Sequence, residues 1–467
     1  MASSPLPAFS VSVEESGPGY RVTVGGPGGS RNYEIAGPDQ GDYANFFRAL
    51  ADDHGTRLPH AFAGAAEADD GGGRWQPLLT ENVAPTILSG YGDPAVLKTD
   101  CGYFLVATSN DAPNAFPILR SDDLLHWHHE GFAFPEGQQP GWAAQGVRRA
   151  DFWAPEMAQV DDEYWLCYTA RQQSNVLAIG LAKSDSPTGP WRDLGRPLLT
   201  GPAVDLPADA PGESGVTTTG VIDSHLFIDS NGDRFLFWKS DSNGLWPRPL
   251  ATLLRDHPHL IGELFDREED RRTAAFAGAI VGWANSRRPM ERFFLMQPLI
   301  DAALANWPRV RDALESCGLA DAFLHALVTP VFGARIAEDG GSLAGEPAIV
   351  LRNDLDWEGH LIEGPFVTHE AGRYWMFYAG NDFSTPAYGI GVAVADHPLG
   401  PYRKQPAPLL KSTREWLAPG HASVAPGLDG SPQLFFHAFH PGTGGYNVFR
   451  ALLTARLRFG TETVEIA

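Results

Sequence analysis

One arrangement recurs along most of this chain: a strand that opens beside a polar or charged residue, a tight turn, and an aromatic-rich strand that returns. Its clearest copy is VIDSHLFIDSNGDRFLFW, residues 221–238. Two apolar runs there flank Asp229-Ser-Asn-Gly-Asp233, and Asn-Gly supplies the positive φ that a hairpin turn needs. The layout returns at 91–109 (YGDPAVLKTDCGYFLVATS), 152–170 (FWAPEMAQVDDEYWLCYTA), 361–380 (LIEGPFVTHEAGRYWMFYAG) and 420–440 (GHASVAPGLDGSPQLFFHAFH). Three copies are followed by a further strand-like piece: ILRSDDLLHWHHEG, IGLAKSDSPTGPWRDLG and IGVAVADHPLGPYRK. Repeats of roughly 40 to 70 residues with about four strands each mark a β-propeller. Five copies predict five blades, a mainly β fold over residues 86–467.

The spacing breaks once. Asp223 and the acid of the next copy, Glu363, lie 140 positions apart, about twice what one repeat needs. The excess falls in 245–345, where RPLATLLRDHPHLIGELF, TAAFAGAIVGWANSRRP and ERFFLMQPLIDAALANWPRVRDALESCG carry apolar residues at helical spacing. This predicts a helical insertion between the third and fourth blades. Its apolar stripes call for a partner: a lid or wall over the propeller face, or else a homodimer interface. Residues 1–85 form an N-terminal extension, with alternating strands at Phe9–Val13 and Tyr20–Val24, a helix from Asp42 as N-cap, and glycines 71–73 as a linker. It reads equally as a small domain or as a decoration of the next one.

Composition agrees and excludes several classes. Fifty-one glycines, 38 prolines, 11% aromatic and 20% charged residues suit many short strands. A net charge of −22 argues against nucleic acid or an anionic membrane as partner and leaves a neutral sugar unaffected. Cys101, Cys167 and Cys317 have neither metal-ligand nor disulfide spacing, and Cys167 reads as a buried small hydrophobe. MASSPLPAFSVSVEE lacks a secretion signal's pattern and no stretch is long and apolar enough to span a bilayer, so the expectation is a soluble, cytoplasmic protein.

In a propeller the first strand of each blade lines the central channel. Asp93, Asp223 and Glu363, at equivalent points of blades 1, 3 and 4, are then expected in one pocket. Standing alone, each is most simply a solvated turn or strand-end acid. As a matched triple they suit acid–base chemistry, because carboxylates in one concave site shift each other's proton affinity.

Residues 86 to the end resemble glycoside hydrolase family 43, within the five-bladed propeller clan. The carrying motifs are GDPAV (92–96), SDDLLHW (121–127), FWAPEM (152–157), GPW (189–191), VIDSHLF (221–227), IEGPFV (362–367), LGPY (399–402) and GHASV (420–424). The resemblance implies an inverting glycosidase, with Asp93 as general base, Glu363 as general acid and Asp223 tuning and holding the acid. Inversion requires the working carboxyls to stand roughly 6.5–9.5 Å apart. His421 matches the family's channel histidine, which often touches a central cation, commonly calcium, through water; no cofactor is required for the reaction itself. Arg450 falls where the family places a pocket arginine, and Glu156 stands where Asp is commoner. Phe152 and Trp153 are the candidate sugar platforms, and His225 either lines the pocket wall or faces the blade core. Trp127, Trp165, Trp191, Trp238 and Trp375 should pack between blades. The expected substrate is a short oligosaccharide or glycoside ending in arabinofuranose or xylose. The alternative is a propeller turned to carbohydrate binding or to chemistry on a specialised metabolite.

Overall fold

The computed structural model describes residues 7–37, 39–60, 75–110, 112–144, 151–174, 176–201, 203–205, 216–218, 220–241, 246–287, 289–316, 328–445 and 448–467. The linker glycines 71–73 and Cys317 lie outside them. Two compact units emerge: residues 67–203, 218–241 and 329–467 form the larger, and 1–66, 204–217 and 242–328 the smaller.

The larger unit contains five antiparallel sheets, each starting from one of the repeated hairpins. Sheet I runs Ala95–Thr99, Gly102–Val106, Ala115–Ser121, His128–Phe134. Sheet II opens with Trp153–Val160 and Glu163–Arg171, sheet III with Val221–Ile228 and Arg234–Ser240. Sheet IV opens with Ile362–Glu370 and Arg373–Gly380, sheet V with Leu417–Pro426 and Pro432–Phe439. The five first strands touch in sequence order, and that of sheet V touches that of sheet I. Gln76–Leu79, which precedes sheet I in the chain, pairs with Ala451–Phe459 of sheet V.

The aromatic returning strands fill the spaces between sheets. Trp165 and Cys167 meet Leu236 and Trp238 between sheets II and III. Phe235 and Phe237 meet Met376 and Tyr378 between III and IV, and Trp375 and Phe377 meet Leu434 and Phe436 between IV and V. Alternate side chains of one strand thus serve two neighbours, which explains why these strands read as unbroken apolar runs. Trp127 joins the core between sheets V and I, and Trp191 packs against that between I and II.

The helices α2 (Pro247–Asp256), α3 (Leu260–Leu264), α4 (Glu268–Asn285), α5 (Pro289–Leu304) and α6 (Trp307–Ser316) depart from the expected placement. They follow the second strand of sheet III, which resumes with Val331–Arg335 and Ala348–Leu351. The insertion therefore splits sheet III instead of separating it from sheet IV, and 331–335 belongs to strand. Counting from acid to acid measures an excess without locating it inside the repeat, and strands of four or five residues are too short to show a period.

The smaller unit joins those helices to the N-terminal segment. Strands Ser10–Ser16, Gly19–Gly26 and Gly29–Ile35 form one sheet. Helix α1 spans Gln40–His54 with Asp39 at the N-cap, placing Asp42 in the first turn. Phe276 of α4 packs against Phe46 and Phe47 of α1 and Phe9 of the chain start. Arg57 Nε reaches Asp270 at 2.7 Å, and the His60 N–H donates to Asp301 at 2.7 Å. The N-terminal segment is thus one partner of the helices' apolar stripes. Among the described residues, no helix is long and apolar enough to cross a membrane.

Leu79 is buried in the core shared by sheets V and I, whereas Leu88 is 61% exposed. Leu79→Ala is expected to cost about 2–5 kcal/mol in urea unfolding, and Leu88→Ala within about 0.5 kcal/mol of zero.

Candidate active site

Each first strand carries a left-handed residue in or just before its first half: Asp93 (φ 51°), two residues ahead of its strand, Ala154 (44°), Asp223 (57°), Gly364 (56°) and His421 (50°), the last preceded by a second at Ala418 (50°). The ladder is irregular just there in sheets II to V, so the strand bends and re-aims neighbouring side chains. A left-handed non-glycine residue costs roughly 1–2 kcal/mol and needs holding in place. The preceding sheet supplies the hold. The N–H of Ala154 donates to Thr108 Oγ1 (2.8 Å), that of Asp223 to Thr169 Oγ1 (3.1 Å), and that of Asp93 to His437 Nδ1 (3.0 Å). Gly364 donates to Asp223 Oδ2 at 2.9 Å. By backbone geometry Asp93 and Asp223 are equivalent, but their counterpart in sheet IV is Gly364. Glu363 sits one residue earlier, cross-strand from Ala379, as Ile222 is from Lys239. Acids were the visible landmark in the sequence; the left-handed residue is the structural one.

Asp93 is held on both oxygens. Arg450 Nη1 lies 2.9 Å from Oδ1, and the Thr108 hydroxyl donates to Oδ2 at 2.5 Å. Burial opposes its charge, but Arg450, the neighbouring histidines and Thr108 outweigh burial and hold the carboxyl well below the usual carboxylate range. His437 is fully buried, and desolvation together with Arg450 pushes it well below the ordinary imidazole value. It is therefore neutral, accepts the Asp93 N–H on Nδ1 and carries its proton on Nε2. Any side chain at Gly92 would collide with the Arg450 guanidinium, since a Cβ there would lie 1.9 Å from Cζ.

Asp223 has weaker support. Burial raises its proton affinity, Glu363 and Asp93 raise it further, His421 and Lys239 lower it, and the result is pushed up to about 6. Glu363 accepts from the Tyr388 hydroxyl at 2.6 Å on Oε1 and faces Lys239 Nζ at 3.3 Å on Oε2. Tyr388 feels the charges of all three acids, and with burial they push its hydroxyl well above the ordinary phenol value. The predicted triple therefore shares one electrostatic neighbourhood. The chemistry open to it is proton transfer between differently poised carboxyls.

The remaining candidates divide. Arg450 joins the site, and His421 Nδ1 lies 3.6 Å from Asp93 Oδ1. Trp153 is partly exposed, with the Arg171 guanidinium 5.8 Å from its ring centre. Phe152 is fully buried against Phe116 and Tyr168 and presents no face to a sugar. An apolar ring beside a strand start goes to the core unless something opens the packing, and nothing in the local sequence distinguished the two. His225 is 4% exposed, with Nδ1 3.3 Å from Glu156, Nε2 3.1 Å from the Val367 carbonyl oxygen and its ring on Phe366, which is the core-facing alternative.

Sequence reasoning missed Thr108, Lys239, Tyr388 and His437. Three of them share a signal: a polar residue near the end of an aromatic returning strand (VATS, FWKS, FHAF). Around His421 the donor set does not fit a cation held by protein atoms. Its acidic neighbour Asp93 is already bound to Arg450, whose charge would repel a cation, and no group of three metal-ligating side chains occurs among the described residues.

The family model described as glycosyl hydrolases family 43 matches residues 83–261 and 328–463. The arabinoxylan arabinofuranohydrolase of Bacillus subtilis is 27% identical over 199 residues, covering 38% of this chain and 36% of that protein. A probable arabinan endo-1,5-alpha-L-arabinosidase B of Aspergillus fumigatus is 34% identical over 113 residues, 24% of this chain and 28% of the other. The matches thus span about a third or less of these relatives' length. A solved thermostable family-43 glycoside hydrolase superposes with a TM-score of 0.53 at 25% identity, over 81% of this chain and 93% of that one. An endo-1,4-beta-xylanase from Bacteroides thetaiotaomicron gives 0.53 at 20% identity, over 82% and 96%, and shares the fold.

Because the folded-state proton affinity of Asp223 is raised, its protonated form stabilises the fold. That contribution is full below the ordinary value of 3.8 and is lost as pH rises through about 6. Between pH 4 and 7 the wild type should lose about 2 kcal/mol relative to Asp223→Asn. Urea midpoints across that range check this, and parallel curves would assign the titration elsewhere.

Proposed function

This chain belongs to glycosyl hydrolase family 43, and we propose that it removes a terminal sugar of the arabinofuranose or xylose type from a short oligosaccharide or glycoside, with inversion at the anomeric carbon. The observation carrying this reading is a chain of contacts linking the three acids: Asp223 accepts the N–H of Gly364 beside Glu363, and Tyr388, bonded to Glu363, stacks at 6.3 Å on His437, which accepts the Asp93 N–H. Asp93, paired with Arg450, has the stable negative charge of a base that orients and deprotonates water. Glu363, fixed between Tyr388 and Lys239, has the defined position a proton donor to the glycosidic oxygen needs. Asp223 binds the Gly364 N–H next to Glu363 and so couples the acid's backbone to its own charge.

The fold reading that goes with this is a five-bladed propeller with a helical insertion. Cyclic contact among the five first strands and the closing strand Gln76–Leu79 support it. The sugar class rests on the arabinofuranohydrolase and arabinosidase named among the relatives, and on Trp153 as the remaining aromatic platform.

A panel of aryl glycosides tests the assignment. Glu363→Gln should lose about two to four orders of magnitude on substrates with poor leaving groups and much less on activated ones. Asp93→Asn should lose activity on both, since water attack needs the base whatever departs. Equal rates for wild type and Glu363→Gln would remove Glu363 from the role of acid. Proton NMR of the first-formed anomer reads the stereochemistry.

A further inference from the structure

One position of the repeat does the same job in three sheets and departs from it in two: sheet IV holds Ala379 there, opposite Glu363, and sheet III a lysine. On or just past each second strand, the residue opposite the one just before the left-handed residue lies at the seam with the next sheet. In sheet I this is Thr108, whose N–H bonds the Gly92 carbonyl; in sheet II it is Thr169, in sheet V His437. All three accept the N–H of the next sheet's left-handed residue on their side chains. In sheet III the position holds Lys239, opposite Ile222. An ammonium has no lone pair to accept with. The Gly364 N–H accordingly turns to Asp223 Oδ2.

Lys239 is 0% exposed. A fully buried ammonium costs several kcal/mol unless it is paired, so a threonine would serve the seam at far lower cost. What the lysine gains is Glu363, with Nζ 3.3 Å from Oε2. Tyr388 fixes the other oxygen, and its own position leaves no room at Gly420, where a Cβ would lie 1.9 Å from Tyr388 Cε1. The ionisable groups around this pair are Asp223 of sheet III, Asp93 before sheet I, His421 of sheet V, Tyr388 just before the sheet IV strand Gly389–Ala395 and His360 just before sheet IV. Lys239 is felt at Asp223, and at His360, where burial and then its charge push the imidazole down to about 3.

We propose that Lys239 is the positioning residue of Glu363: its ammonium fixes the carboxyl against Tyr388 and supplies the counter-charge that lets Asp223 and Glu363 be buried side by side. This rests on the reading of Glu363 as the acid. It is tested in Lys239→Met and Lys239→Thr, the latter restoring the residue found in sheets I and II. Two readouts are followed: the pH profile of kcat/KM, and the carbon-13 carboxyl titration of Glu363, assigned by its loss in Glu363→Gln.

Without the ammonium, the Glu363 midpoint should rise by about 1–3 pH units, and the alkaline limb of kcat/KM should move with it. Lys239→Arg should keep the midpoint near the wild-type value. Folded neutral variants with an unmoved Glu363 titration overturn the proposal. Should neither neutral variant fold, the double variant Lys239→Met with Glu363→Gln, which removes the charge with its partner, must recover folding, and its failure to do so overturns the proposal equally. A shifted titration in a protein inactive on every glycoside would keep the Lys239–Glu363 link and refute the hydrolase reading alone.

Discussion

Three carboxyls buried at strand openings can coexist only if each is compensated, and the larger unit compensates them unequally. Asp93 receives a guanidinium and a hydroxyl, Glu363 an ammonium and a phenol. Asp223 accepts a backbone N–H from Gly364 and is pushed up to about 6. Asp93 and Asp223, the same carboxyl in two surroundings, thereby differ in how they hold a proton, which acid–base work requires. The inequality comes from the surroundings: Arg450, the histidines and Thr108 outweigh burial at Asp93, whereas burial with the charges of the other two acids prevails at Asp223.

That compensation depends on where backbone turns. The left-handed openings are held by side chains of the preceding sheet, so the position of each acid is tied to the packing of two sheets rather than one. The aromatic cores between sheets fix those seams. A shift between sheets V and I would displace His437, which holds the Asp93 N–H, and Arg450, which holds its carboxylate. Stability of the inter-sheet cores and geometry of the site are in this sense one property.

The smaller unit follows a different logic. Its sheet and α1 come from the first residues of the chain, and its other helices from an insertion inside sheet III, so contacts such as Phe46–Phe276 and Arg57–Asp270 span more than 200 positions. The family model passes over 262–327, where α4, α5 and α6 lie. Residues 1–66 and 262–327 of this unit thus lie outside the stretches that the family model matches.

The sequence by itself determined the repeated hairpins, the aromatic runs that fill the spaces between sheets, and the recurrence of acids beside strand starts, because turn residues, period-two burial and a recurring acid are local signals. It also carried Arg450 and His421 through family resemblance. Tertiary structure alone decided that Glu363 sits one residue off the common register, that Phe152 and His225 go inward, and that the insertion divides sheet III. It also decided that Lys239 and Tyr388 meet Glu363 and that His437 accepts the Asp93 N–H. The reason is physical: a proton's affinity and a ring's exposure are set by atoms that come close only when distant strands pack, and linear spacing holds no record of which cation will lie three ångströms from which acid.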